Sequence, residues 1–144
     1  MWGFIIALVS GALMSLQGVF NAGVTKQTSV WVSASFVQAS ALIVCLAAWF
    51  FTGRESNFLA LFKIDSKYML LGGVMGAFIT FTVIQSMNGL GAAKATMLIV
   101  TAQLIVSYLI ELFGLFGMEK VDFQWRKLLA VGVIIAGIIW FKWE

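Results

Sequence analysis

Five long apolar segments, separated by short connections, constrain the fold of this chain more than any other feature. They span residues 2–24, 30–51, 68–87, 92–116 and 128–141. Most of them approach the ~20 residues that a helix needs to cross the hydrocarbon core of a bilayer. Because lipid offers no hydrogen bonds to the backbone, an apolar run of this length is stable there only as a helix. The sequence therefore predicts an all-α integral membrane protein with five transmembrane helices in one domain over residues 1–144.

The composition supports this class and excludes several others. Hydrophobic residues make up 62% of the 144 and charged residues only 10%, whereas soluble domains are about half apolar and a quarter charged. The chain has no histidine, and its single cysteine, Cys45, lies in an apolar run. Without a metal cluster or a nucleophile–base pair, we expect no enzyme activity, no metal and no cofactor. The net charge of +3 comes from basic residues at the ends of apolar runs, which is typical of membrane-interface anchors rather than of nucleic-acid binding.

The basic residues also predict an orientation. With five spans, six basic residues lie on the side of the N-terminus and three on the opposite side. The six are Arg54, Lys63, Lys67, Lys120, Arg126 and Lys127, and the three are Lys26, Lys94 and Lys142. Because basic loops favour the cytoplasm, we expect the N-terminus inside and the C-terminus outside. An excess of three is modest, so insertion of some chains in the opposite orientation remains open.

One carboxylate stands inside the fourth apolar segment. Gln103, Ser107 and Glu111 follow each other at intervals of four residues, which places them on one helix face. An ionisable group within a span is costly and is by default a candidate functional site. One hypothesis makes Glu111 a coupling carboxylate that exchanges a proton for a cationic or polar substrate. The alternative makes it an anion near the interface, paired with Arg126 or Lys127.

Amide side chains enter two other segments. Gln17 and Asn21 lie on one stripe of the first segment, and Gln38 lies in the second. Such groups either line a substrate path or hydrogen-bond between helices. Together with Gln103 they exceed what helix association requires, which favours a polar cavity.

Small residues form two stripes at the spacing that lets helix backbones approach closely. Gly72 and Gly76 belong to the third segment, and Gly132 and Ala136 to the fifth. We interpret these residues as helix-packing or dimer-contact positions. A dimer is expected because five helices have too few neighbours to cover a polar stripe on each.

Three motifs together resemble a known family. They are S-L-Q-G-V-F-N (15–21), G-G-V-M-G-A-F (72–78) and Q-L-I-V-S-Y-L-I-E-L-F-G-L-F-G (103–117). In this order, and with this number of segments, the chain resembles the YdcZ-like five-span branch of the drug/metabolite transporter superfamily. The resemblance implies a bacterial inner-membrane transporter subunit. It implies no particular cargo, since the family's substrates are poorly defined.

The same resemblance implies an assembly. Larger relatives carry ten spans as two inverted repeats, so a five-span chain corresponds to one half and is completed by an antiparallel dimer. The partner is either a second copy or an oppositely inserted paralogue. The family's pattern has aspartate followed by histidine where this chain has Glu111 and Leu112, which argues against a histidine-assisted proton relay here.

Three functions are therefore compared. The leading hypothesis is a secondary active exporter of a small molecule, working by alternating access and coupled to protons. The alternatives are a small dual-topology ion channel and a membrane assembly protein that moves no solute.

Overall fold

The computed structural model describes residues 1–54 and 56–142, with Lys142 described by its backbone only. Within these residues the regular structure is entirely helical. The α-helices are α1 (Trp2–Thr25), α2 (Val30–Phe51), α3 (Gly72–Leu90), α4 (Ala92–Phe113) and α5 (Trp125–Lys142). Short 3-10 helices cover Phe58–Lys63, Lys67–Leu71 and Leu115–Gly117. The prediction of an all-α chain with long apolar helices is confirmed.

Four helix ends differ from the predicted segments by three or four residues, including the end of α3, which lies at Leu90 rather than at 87. Residues 67–71 precede α3 as a 3-10 helix, in which the Met69 N–H donates to the Ser66 carbonyl at 3.0 Å. Helix α4 ends at Phe113 rather than at 116, because Gly114 adopts the left-handed conformation with φ of 62°. Helix α5 begins at Trp125, so Arg126 and Lys127 lie inside its first turn instead of in the preceding loop.

Within the part of the chain that the structure describes, four stretches are long and apolar enough to cross a membrane: Trp2–Thr25, Val30–Phe51, Lys67–Leu90 and Ala92–Phe113. Helix α5 has basic residues at both ends, and its uncharged part runs from residue 128 to 141. At a rise of 1.5 Å per residue, that part is about 21 Å long, shorter than a hydrocarbon core of about 30 Å. Of the five α-helices, α5 is thus the one whose uncharged length fits the thickness of a bilayer core least well.

The chain divides into two compact units, residues 1–88 and 89–144. The first contains α1, α2 and most of α3, and the second contains α4 and α5. The single five-helix domain remains a prediction. In both units most large apolar side chains are exposed within the chain, as is typical of surfaces that contact lipid or another protein.

The core of the first unit is small and partly polar. Ile84 is fully buried, and Ala34 and Met87 are nearly so. The Ser33 hydroxyl donates to the Asn21 carbonyl at 3.2 Å and so links α2 to α1. Close helix contact therefore relies on small side chains and on hydrogen bonds, as in other membrane bundles.

Candidate functional site

The second unit contains a groove between α4 and α5. Its volume is about 270 Å³. Helix α4 contributes residues 104, 107, 108 and 111, and α5 contributes residues 127, 130, 131 and 134. Both sets follow the spacing 0, 3, 4, 7, which is one face of an α-helix. The groove is therefore formed by two regular helix faces. Four of its eight lining side chains are aliphatic, and the charged groups lie at one end.

The charged end of the groove is an ion pair. The Lys127 Nζ lies 3.6 Å from the Glu111 Oε2, and the two side chains are 39% and 41% exposed. Of the two basic residues considered as partners of Glu111, Lys127 is the one that pairs with it. A separation of 3.6 Å exceeds the roughly 2.7–2.9 Å of a tight charge-assisted hydrogen bond. The two groups thus form an ion pair without a tight hydrogen bond.

Tyr108 is a second partner of the Lys127 ammonium, besides Glu111. The Lys127 Nζ lies 5.2 Å from the centroid of the Tyr108 ring, within the distance at which a cation is attracted to an aromatic face. The Tyr108 hydroxyl also accepts a hydrogen bond from the Gln124 N–H at 3.0 Å. Because Gln124 immediately precedes α5, this contact ties the start of α5 to α4. Tyr108 was not selected from the sequence, although it lies one turn before Glu111.

The turn after α4 places the two charged side chains together. Gly114 has φ of 62°, and its N–H donates to carbonyls of the last helical turn, Ile110 and Glu111. The chain then returns, and the Val121 N–H donates to the Glu111 carbonyl at 3.0 Å. This hydrogen bond sets the distance between the end of α4 and the start of α5. The G-L-F-G sequence thus terminates the helix and positions the groove.

We predict that Gly114→Ala destabilises this unit. The backbone conformation is unfavourable for a residue with a Cβ by roughly 1–2 kcal/mol, and that Cβ would lie 3.3 Å from the Lys120 Cβ. The midpoint of SDS-induced unfolding in mixed micelles should fall accordingly. Gly137→Ala is the matched control, since Gly137 lies within α5 and a Cβ there meets open space. The control should be neutral or stabilising by about 0.5–1 kcal/mol, and equal losses in both variants would contradict the role of the turn.

The two other polar residues predicted on the Glu111 face of α4 have different surroundings. Ser107 lines the groove with Glu111, whereas Gln103 is exposed and is not part of its wall. Eight residues at 100° each rotate Gln103 by about 80° from Glu111. The four-residue spacing therefore keeps neighbours on one face but moves the outermost pair apart.

The amides of the first unit have three different surroundings. Gln17 is exposed on α1, and Asn21 is buried at 8% exposure. Gln38 donates from Nε2 to the Thr80 Oγ1 at 3.3 Å, which links α2 to α3. Substrate contact by these residues remains a prediction.

The residues of the two predicted small-residue stripes also differ in how closely other side chains approach them. Gly76 lies beside Gln38, with 3.6 Å between its ideal Cβ position and the Gln38 amide nitrogen. Added Cβ atoms at Gly72 and Gly132 would meet open space, and Ala136 is exposed. Dimer contact by these residues stays a prediction. Among the glycines, the closest approach of a neighbouring helix is at Gly18, against Met87 and Val83, and this position was not selected from the sequence.

The helices and their exposed apolar side chains define the class of protein, and the comparison with known families then identifies the family. Long apolar helices with few buried side chains describe a multi-pass α-helical membrane protein. The chain belongs to the DMT YdcZ family, whose model is described as "Putative inner membrane exporter, YdcZ" and matches residues 2–140. No curated protein and no solved structure matches the chain. The resemblance noted in the sequence is confirmed, and the family indicates a transporter of the inner membrane rather than an enzyme.

Proposed function

We propose that this protein is a subunit of a secondary active exporter that works by alternating access and couples small-molecule export to protons. The groove of the second unit carries the proposal. It combines a carboxylate, a cation and an aromatic ring with aliphatic walls, which is the mixture of many apolar and few polar groups found in small-molecule sites. The family match supports the direction of transport.

Glu111 is the coupling group in this proposal. While it is ionised, it attracts the Lys127 ammonium at 3.6 Å. Protonation removes that attraction and frees Lys127, so proton binding changes both the charge and the geometry of the groove. Substrate that interacts with Glu111 competes with the proton for the same oxygen atoms.

The transporting unit is proposed to be an antiparallel dimer. Gln17 and Gln103 lie within membrane-spanning helices and are exposed in the single chain. A polar side chain in hydrocarbon is unfavourable without a hydrogen-bond partner. A second chain covers these groups, and the weak charge bias of six against three permits its opposite insertion.

Reconstitution into proteoliposomes tests the function. The vesicles are loaded in turn with labelled leucine, tetraethylammonium, citrate and glucose, which represent zwitterions, cations, anions and neutral solutes. We expect saturable, protein-dependent flux of at least one solute, accelerated by a pH gradient. Cross-linking in the same vesicles should give dimers whose two chains have opposite orientations.

Other outcomes identify the alternatives. Ion current that does not saturate, without solute flux, would indicate a channel. No movement of any of the four solutes or of ions would indicate an assembly protein. Monomers only, or parallel pairs only, would overturn the antiparallel dimer.

A further inference from the structure

We propose that the groove between α4 and α5 binds a small zwitterion with an aliphatic body, of which an aliphatic α-amino acid is the representative. Its ammonium pairs with Glu111, its carboxylate pairs with Lys127, and its side chain packs against the aliphatic wall. This inference rests on the proposed function, because it names the substrate class of the same groove.

The charge of the groove is the first argument. Among the described residues, Glu111 and Lys127 are the only charged side chains in the wall of the groove, and they compensate each other at 3.6 Å. A ligand with a single charge pairs with one of them and leaves the other without an opposite charge. A zwitterion satisfies both groups and leaves the net charge unchanged.

The second argument is the position of Lys127. The Tyr108 ring attracts the Lys127 ammonium from a distance of 5.2 Å. Lys127 therefore stays in contact with the groove when a ligand replaces it at Glu111. An incoming monocation then meets a fixed positive charge beside its binding site. A ligand carboxylate instead finds the Lys127 ammonium already oriented.

The size and polarity of the groove narrow the class of ligand further. The volume of about 270 Å³ is below the roughly 300–1,000 Å³ of sites for drug-sized ligands, so the ligand is small. Apart from Ser107 and Tyr108, the uncharged wall consists of Leu104, Ala130, Val131 and Ile134. These side chains favour an aliphatic body over a polar one.

Three matched ligands test the proposal on the wild-type chain in lipid nanodiscs. They are leucine, 3-methylbutylamine, which lacks the carboxylate, and 4-methylpentanoate, which lacks the ammonium. Equilibrium dialysis against labelled leucine, with the other two as competitors, gives the three affinities. We expect leucine to bind at least tenfold more tightly than either analogue. Equal affinity for the amine or for the acid would overturn the proposal, and so would no leucine binding by the folded protein.

Lys127→Met tests the role assigned to the ammonium. The variant should lose at least tenfold in leucine affinity, and its preference for leucine over 3-methylbutylamine should disappear. Arg126→Met is the matched control, because it removes the adjacent basic residue, which does not line the groove. Unchanged leucine affinity in Lys127→Met would overturn the assignment. If that variant does not fold, the comparison of ligands on the wild-type chain decides.

The two proposals fail in different ways. Leucine binding in nanodiscs without flux of any solute in proteoliposomes would overturn the exporter and support the ligand class. Saturable flux of tetraethylammonium without leucine binding would support the exporter and overturn the zwitterion.

Discussion

Replacing Glu111 by glutamine is expected to abolish flux driven by a pH gradient while the helices stay assembled. Glutamine has nearly the same shape but neither ionises nor attracts Lys127 as a carboxylate does, so proton binding can no longer change the groove. The fold should survive, because an ion pair that is about 40% exposed belongs to a class contributing only about 0–1 kcal/mol. The measurement is pH-driven flux in proteoliposomes, using whichever of the four labelled solutes the wild-type protein transports.

Glu119→Gln is the control for this substitution. Glu119 is an exposed carboxylate in the connection between α4 and α5, and its neutralisation should leave the flux unchanged. Flux at the wild-type level in Glu111→Gln would exclude the coupling role. The amides Gln17, Asn21 and Gln38 would then be the next candidates for the substrate path.

Gly18→Leu should produce the largest loss of stability in the first unit. A Cβ at this position would lie 2.6 Å from the Met87 sulfur and 3.4 Å from a Val83 methyl group. Met87 is buried, so its thioether has little room to move away from a leucine side chain. Overpacking of this kind typically destabilises by about 1–3 kcal/mol. The midpoint of SDS-induced unfolding should fall, and the protein should aggregate at a lower temperature.

Gly11 provides the matched control, because it lies two helical turns earlier on the same face and a Cβ there meets open space. Gly11→Leu should therefore be nearly neutral. Adding Met87→Ala to Gly18→Leu should recover part of the lost stability by making room for the new side chain. Equal destabilisation at both glycines, or no recovery in the double variant, would show that contact with Met87 does not limit the packing of α1.

The spans could be recognised from the sequence because the bilayer imposes a length and an apolar composition that a single chain displays directly. The ends of helices were less predictable. Gly114 ends α4 three residues before the predicted boundary, since apolar residues continue through Leu115 and Phe116 after the helical hydrogen bonds have stopped. Hydropathy therefore does not mark the end of the helix, whereas the left-handed backbone conformation of Gly114 does.

The sequence alone determined that this is an all-α membrane protein of the YdcZ family, because apolar length and motif order are properties of the linear chain. It also singled out Glu111 as a carboxylate in an apolar helix. Only the tertiary structure decided that Lys127 rather than Arg126 faces Glu111, and that Tyr108 contacts the same ammonium. Adjacent residues on a helix point about 100° apart, so the choice between them depends on how the turn at Gly114 sets α5 against α4. The contact of Gly18 with Met87 likewise joins residues 69 positions apart, and such a contact exists only once the helices have packed.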